Sequence, residues 1–489
     1  MRMITTLALV AALAGQAAAQ TPAPGGTPAP QVQAPDRSAP PKAGPPPRLQ
    51  LPAVQKHALT NGLRVWVIER HTVPTAQVVL VIRSGSATDP AGRYGLASFT
   101  AAMLTEGAAG KGSLALADEL DYLGADLGAS SSFDATQVGL SVPVARLAPA
   151  LAIMADTVIR PDFPQEELDR LREQRLTSLR TARDNPPAIS AIAFPLLVYG
   201  RGHRYGTTGG GTSETITGIT RDDLRQFHAA HFRPDQAAIV VAGDVTPATV
   251  LPLLESAFGG WRAPAGAPPA SVLPAPQQVK ARTVTIVDKP GAPQSVIQIG
   301  AVGVPRSTPD YFALEVLNTA LGGSFTSRLN QNLREEHGYT YGARSGFDMR
   351  RAAGPFSAAA SVQTDRTAEA VGEFFKELNG IRVPIPADEL GKAKNYVALS
   401  FPGEFETSAD LAGMFAQLIV YDLPDDYYST YVDRVLAVTG AEVERAAQQH
   451  IQPDRLAVVI VGDRQAIEPK VRALALGPLQ VLTVTDVVK

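Results

Sequence analysis

The sequence predicts an α+β protein of two similar tandem domains, each an antiparallel-rich sheet with helices packed on one face. Three observations carry this. The window HFRPDQAAIVVAGD at His231 returns as HIQPDRLAVVIVGD at His450, 219 residues later, with His, Pro, Asp, Ala, Val, Gly and Asp in register. A repeat of that length marks a duplicated domain, because solenoid periods run only ~20–50 residues. Within each copy, strand-like runs come in neighbouring pairs (63–68 with 77–83, then 283–287 with 295–302) and helix-like runs follow at 96–104 and 311–321. That order suits α+β rather than alternating βαβ units. Between the copies, residues 263–278 are rich in Ala, Pro and Gly, the composition of a linker.

Taken from the N-terminus, residues 1–19 read as a secretory signal peptide. Arg2 is a basic start, 4–14 is apolar, and Ala17-Ala18-Ala19 supplies the small residues a signal peptidase needs. The apolar run is shorter than the ~20 residues of a spanning helix, and no later stretch is long enough. The chain is therefore expected to be exported to the periplasm with no transmembrane segment after cleavage. Residues 20–52 are mostly Pro, Ala, Gly, Thr and Gln, with Pro45-Pro46-Pro47 among them. They read as a disordered, polyproline-like spacer. The two domains then occupy 53–262 and 279–489, joined by 263–278. Each copy closes alike: a capping box (Thr220-x-x-Asp223, Thr439-x-x-Glu442), a helix, a Pro-Asp turn, a buried strand and a Gly-Asp turn.

Composition excludes several classes of function. The 489 residues carry 44 basic and 47 acidic side chains, a net charge of −3, with no basic stripe. Nucleic acid is not an expected partner. The chain has no cysteine, so disulfides, thiolate metal sites, cysteine nucleophiles and cysteine-linked lipids are excluded.

Three motifs follow in order: LTNGLRVWVIERHTVP at Leu59, GLASFTAAMLTEG at Gly95, and GGSFTSRLNQNLREEHGYTYGARSGF at Gly322. Together they resemble the two-domain zinc peptidases of the insulinase/pitrilysin type, notably the short bacterial and mitochondrial-processing-peptidase-like members. The resemblance covers nearly all of the chain from about residue 53. It implies a processing-peptidase-like metallohydrolase fold, two α+β domains facing across a cleft.

The family's inverzincin motif is His-x-x-Glu-His, in which two His hold zinc and the Glu is general base on the metal-bound water. Here Ser98 stands for the first His, Ala101 for the base and Ala102 for the second His, while Gly95, Met103, Glu106 and Gly107 still match. The family's third ligand, a Glu on a later helix, maps to 166–183, where Leu171 falls near its position. The resemblance therefore implies a degenerate zinc motif and no metal in this chain. Replacement sites are weak. Leu333-Arg334-Glu335-Glu336-His337 has Leu where the first His must be and reads as an exposed charged helix end. His228 and His231 have helical spacing without an evident carboxylate, and His450 faces Ala447 in the repeat, so these histidines read as structural. Ser98 as a nucleophile needs an adjacent base, and no G-x-S-x-G motif is present. The run Gly209-Gly210-Gly211 lacks the P-loop Lys-Ser/Thr and reads as a surface turn.

In the second domain, 325–337 reads as a helix, Gly338 as its left-handed C-cap, and 339–347 as a strand. Taken alone, Arg334 could be a solvated helix charge and Tyr341 a packed strand residue. The resemblance implies more: an Arg and a Tyr of the second domain bind the substrate backbone and the developing oxyanion, and Arg334 and Tyr341 are the matching residues. Arg offers a rigid fork of donors and Tyr a hydroxyl donor. Tyr339, the competing tyrosine, fits the spacing less well.

The resemblance includes heterodimers in which one subunit carries the zinc motif and the other the Arg/Tyr pair. The expected function is thus the non-catalytic, substrate-binding subunit of a heterodimeric periplasmic zinc metalloendopeptidase, inactive alone. Zinc is expected in a homologous partner subunit. Arg334 and Tyr341 are expected to act in trans on a peptide or unfolded polypeptide held partly as an added strand. The alternative is a peptide-binding or assembly protein of the same fold with no peptidase role. A third reading, a self-sufficient hydrolase with a displaced site, predicts activity that survives chelators.

Overall fold

A computed structural model describes residue 44, residues 49–267 and residues 273–489. The expected signal peptide and most of the expected 20–52 spacer lie outside the described residues, as does the middle of 263–278.

Twelve strands build two six-stranded sheets. The first contains β1 (Val54–Ala58), β2 (Arg64–Glu69), β3 (Thr75–Ile82), β4 (Asp126–Ser131), β5 (Thr136–Pro143) and β6 (Ala237–Gly243), in the order β1-β2-β6-β3-β5-β4. The second contains β7 (Thr283–Asp288), β8 (Gln294–Val302), β9 (Ala343–Phe347), β10 (Pro355–Gln363), β11 (Ala457–Gly462) and β12 (Leu479–Thr483), in the order β9-β10-β8-β11-β7-β12. In each sheet the closing strand of the repeat pairs parallel with the opening one, β6 with β2 and β11 with β7. The 219-residue offset between His231 and His450 also separates Arg64 from Thr283, Thr75 from Gln294 and Thr136 from Pro355, the first residues of three equivalent strand pairs. The duplication is broken at one edge. There β1 forms an antiparallel hairpin with β2, whereas β12 arrives from the C-terminus and runs parallel to β7.

The inner strands are apolar at nearly every position because both of their faces are covered; all seven residues of β6 and all six of β11 are buried. In β3, Ala76, Val78, Leu80 and Ile82 face helices of the first half, including Leu96–Met103 and Leu147–Ile159. Val79 and Val81 face the other way. That second face is covered by a helix from the opposite half, Ser408–Tyr421, through Leu411, Phe415 and Ile419. The exchange is reciprocal. Helix Pro186–Tyr199 leaves the first half and lies on β8 and β11, packing Ile189, Ala193, Phe194 and Val198 against Val296, Val302, Val459 and Val461. Ser190 Oγ donates to Gln298 Oε1 at 2.9 Å in the same seam.

Both capping boxes form, Thr220 with Asp223 and Thr439 with Glu442. Among the described residues, no helix is long and apolar enough to cross a membrane.

Candidate functional site

Helix Leu96–Met103 carries the degenerate motif. Its start is fixed by Asp89, which is buried. Asp89 Oδ1 accepts from the Ala97 N–H at 2.8 Å, and Oδ2 accepts from the Gly95 N–H at 2.7 Å and from Arg204 Nη2 at 2.8 Å. The Gly209–Gly211 run forms the expected turn, half-buried at Gly209 and Gly210, and it also supports this helix start. Gly211 is buried at φ 84°, and a Cβ there would lie 2.1 Å from the Tyr94 carbonyl oxygen.

Along the helix, Ala101 is fully buried, and Ser98 and Ala102 are half-buried. On the later helix, Gln165–Ala182, Leu171 and Arg175 lie about one turn apart. Leu171 packs into the first-half core, and Arg175 is the residue that meets Ser98. Arg175 Nη2 donates to Ser98 O at 2.9 Å and Nη1 to Ser98 Oγ at 3.3 Å, with the guanidinium 4.5 Å from the centre of the Phe99 ring. Burial lowers the Arg175 pKa to about 10, and among the described residues no carboxylate lies within ion-pair distance of it. Zinc needs imidazole, thiolate or carboxylate lone pairs. Ser98, Ala101 and Ala102 offer one hydroxyl between them, and a cation already stands against it. These residues do not fit a zinc ion. Among the described residues, no three His, Cys, Asp or Glu side chains come together as a metal-ligand set.

The histidines are engaged locally. His228 Nε2 donates to Val158 O at 2.8 Å, and His231 Nδ1 lies 2.9 Å from Ser84 Oγ. Burial lowers the pKa of both, that of His231 to about 4. His450 Nε2 donates to Asp310 Oδ2 at 2.8 Å, and Arg445 holds the other oxygen at 2.7 Å.

In the second half, the helix around Arg334 differs from the expected 325–337. It is a short α-helix, Arg328–Asn330, that widens into a π-helical turn, Gln331–Glu336. Gly338 adopts the left-handed conformation (φ 63°), and its N–H donates to Arg334 O at 3.0 Å, the cap that a glycine there supplies. The following strand starts at Ala343, later than expected, because residues 340–342 form a local turn in which Thr340 Oγ1 accepts from the Gly342 N–H at 3.1 Å. Tyr341 therefore stands on a loop ahead of the strand, with 93% of its surface exposed. Tyr339 instead stacks on His337 at 4.9 Å and packs against the core.

One cavity of about 710 Å³ receives both Arg334 and Tyr341. Its floor is the outer face of β9 and β10, its wall is the exchanged helix Pro186–Tyr199 at Pro187, Ser190 and Ala191, and Phe325 stands at its rim. The Arg334 guanidinium lies 4.4 Å from the centre of the Phe325 ring, which orients the fork and leaves its donors available. Ser98, Ala101 and Ala102 are not among the residues that line this cavity. Sequence reasoning missed Arg175, Arg344 and the helix wall. The signal for Arg175 was its position four residues after Leu171, on the same helix face. For Arg344 it was the alternation from buried Ala343.

Comparison with known proteins agrees with this architecture. The family model described as Insulinase (Peptidase family M16) matches residues 64–198, and the model described as Peptidase M16 inactive domain matches residues 218–397. A crystal structure of a peptidase M16 inactive domain from Pseudomonas fluorescens superposes with a TM-score of 0.78 at 27% identity, covering 84% of this chain and 98% of that one. An uncharacterized zinc protease of Mycobacterium leprae is 27% identical over 318 residues, 65% of this chain and 71% of its own. The non-peptidase homolog YmxG of Helicobacter pylori is 24% identical over 416 residues, 84% of this chain and 94% of its own. Its two repeats, its motif order and these matches place the chain in the insulinase (M16) peptidase family, as a member whose zinc-motif helix carries no metal ligands.

Proposed function

We propose that this chain is the non-catalytic, substrate-binding subunit of a two-chain zinc endopeptidase, exported to the periplasm and paired with a homologous subunit that bears the His-x-x-Glu-His motif. The observation that carries the reading is the contrast between the two halves. The motif helix has a half-buried guanidinium in place of a ligand set, while Arg334 and the exposed Tyr341 open into one cavity large enough for a peptide segment. A chain that only packs has no physical use for a solvent-facing tyrosine hydroxyl beside an oriented, aromatic-backed guanidinium. In the complex, Arg334 binds the substrate backbone and Tyr341 donates to the oxyanion that develops at the scissile carbonyl. The metal and its water belong to the partner.

The test is peptidase activity of this chain, of the zinc-bearing homologue and of their mixture, each with and without a chelator. The expected result is activity in the mixture alone, abolished by chelation and by Arg334→Ala or Tyr341→Ala. Equal activity of the homologue alone overturns the trans-acting role. The second reading, a peptide-binding or assembly protein without a peptidase role, is favoured by the name of the Helicobacter pylori relative, a non-peptidase homolog, and is the outcome that such a result would support. Activity of this chain alone that survives chelation would instead support the displaced-site hydrolase.

A further inference from the structure

The chemistry of the cavity narrows what it holds. Two of its lining side chains are charged, Arg334 and Arg344, and no carboxylate lines it. Arg344 lies on β9 and is exposed, and among the described residues it makes no ion pair. Among the described residues, the one carboxylate within ion-pair distance of Arg334 is that of Glu335, 3.5 Å from Nε, which leaves the terminal nitrogens unspent. Two guanidinium groups with unspent donors in one concavity concentrate positive potential there. The remaining polar groups, among them the hydroxyls of Ser190, Ser357, Ser361 and Tyr341, are neutral.

The strand register sets the floor of the cavity. β9 is the outermost strand of its sheet and pairs only with β10. Its other edge is covered from within the chain: the Ala343 N–H donates to Asn330 Oδ1 at 2.9 Å, and a Cβ on Gly322 would lie 2.4 Å from the Ser345 nitrogen. Arg344 stands opposite Ala359 of β10, so its side chain shares the cavity face with Ser357, Ala359 and Ser361. These floor residues are small and leave room for the side chains of a bound peptide.

We infer that the cavity selects acidic peptides, laid over the face of β9 and β10 with their carboxylates met by Arg344 and Arg334. This rests on the substrate-binding reading above and adds the substrate class to it. Carboxylate–guanidinium pairing is the charge-assisted, bidentate match for which an arginine fork is suited.

The experiment is fluorescence polarisation with the purified chain and three labelled decapeptides: one alternating Val and Glu, its Val/Gln analogue and its Val/Lys analogue. The Glu peptide is expected to bind about tenfold or more tightly than the Gln peptide, with the Lys peptide weakest and the difference shrinking at about 0.3 M salt. Arg344→Gln is expected to bring the Glu-to-Gln affinity ratio close to one. Its circular dichroism and melting temperature should match wild type, which separates lost recognition from lost folding. Equal binding of all three peptides, weakened by Arg334→Ala, overturns the acidic selection while the substrate-binding reading stands. A Glu preference that Arg344→Gln leaves intact overturns the assignment to Arg344. Failure of every peptide to bind overturns both.

Discussion

Arg175 grips Ser98 twice, through the carbonyl at 2.9 Å and the hydroxyl at 3.3 Å. A fixed side-chain cation thus ties together the two helices from which the family's metal ligands come. The loss of zinc chemistry in this chain is therefore more than a set of missing side chains.

That geometry predicts the outcome of restoring the motif. Ser98→His, Ala101→Glu and Ala102→His together should leave the chain without stoichiometric zinc, because the guanidinium repels the ion and no third ligand is present. Adding Arg175→Glu should bring zinc to about one ion per chain by elemental analysis. Stoichiometric zinc in the triple variant would show that Arg175 is not what excludes the metal.

The Arg/Tyr pair should separate activity from stability. Tyr341→Phe keeps the exposed ring and removes the hydroxyl. In the mixed complex it should lower kcat by about 10²–10³-fold, the usual cost of one oxyanion donor. Its melting temperature should be unchanged, since the side chain is 93% exposed. A loss of activity matched by a loss of folding would point to packing instead.

His231 should leave a signature in the pH dependence of stability. Its folded pKa, about 4, lies below its ordinary value of 6.5 because burial disfavours the charged ring. Between these values the unfolded chain binds a proton that the folded chain refuses, so stability is fully present above about 6.5 and declines as pH falls toward 4. His228 is shifted in the same direction. Melting curves from pH 7 to pH 4 should show a shallower decline for His231→Gln than for wild type. Parallel curves would exclude His231 as a contributor.

The exchanged helices should make the two halves unfold together. A Cβ at Gly300 would lie 2.8 Å from Phe194 Cζ and 2.0 Å from Phe356 O, so Gly300→Ala should cost about 1–3 kcal/mol. Phe194→Ala should cost about 3–5 kcal/mol. The two tryptophans, Trp66 and Trp261, both lie in the first half. Urea midpoints from tryptophan fluorescence and from far-ultraviolet circular dichroism should still coincide, including in the Phe194→Ala variant whose lesion lies on the second sheet. Two separated transitions would mean that the helices dock without coupling the halves.

Much of this was legible in the chain. Strands buried on both faces declare themselves as apolar runs, and the 219-residue offset aligned the capped helix and closing strand of the two copies. Motif order marked Ser98, Ala101, Ala102, Arg334 and Tyr341. Partner choice was not legible. An apolar helix such as Pro186–Tyr199 has the same composition whichever sheet it covers. The edge strand β1 was missed because half-exposed edges carry weak periodicity. Arg175 was not legible because it shares a helix face with Leu171, and only packing decides which side chain reaches Ser98. Tyr341 moved from strand to loop because Thr340 closes a local turn that competes with sheet pairing.

The reciprocal helix exchange also bears on how the chain is made. The apolar face of Pro186–Tyr199 is covered by strands that include β11, which ends at Gly462. On a growing nascent chain this helix must wait for more than 260 further residues before its docking surface is complete. Throughout that interval it is a ready target for a holdase, or for aggregation with its neighbours. A fragment ending near residue 262 should inherit the same hazard permanently, so the first half should be recoverable as a soluble species only when the second half is supplied with it.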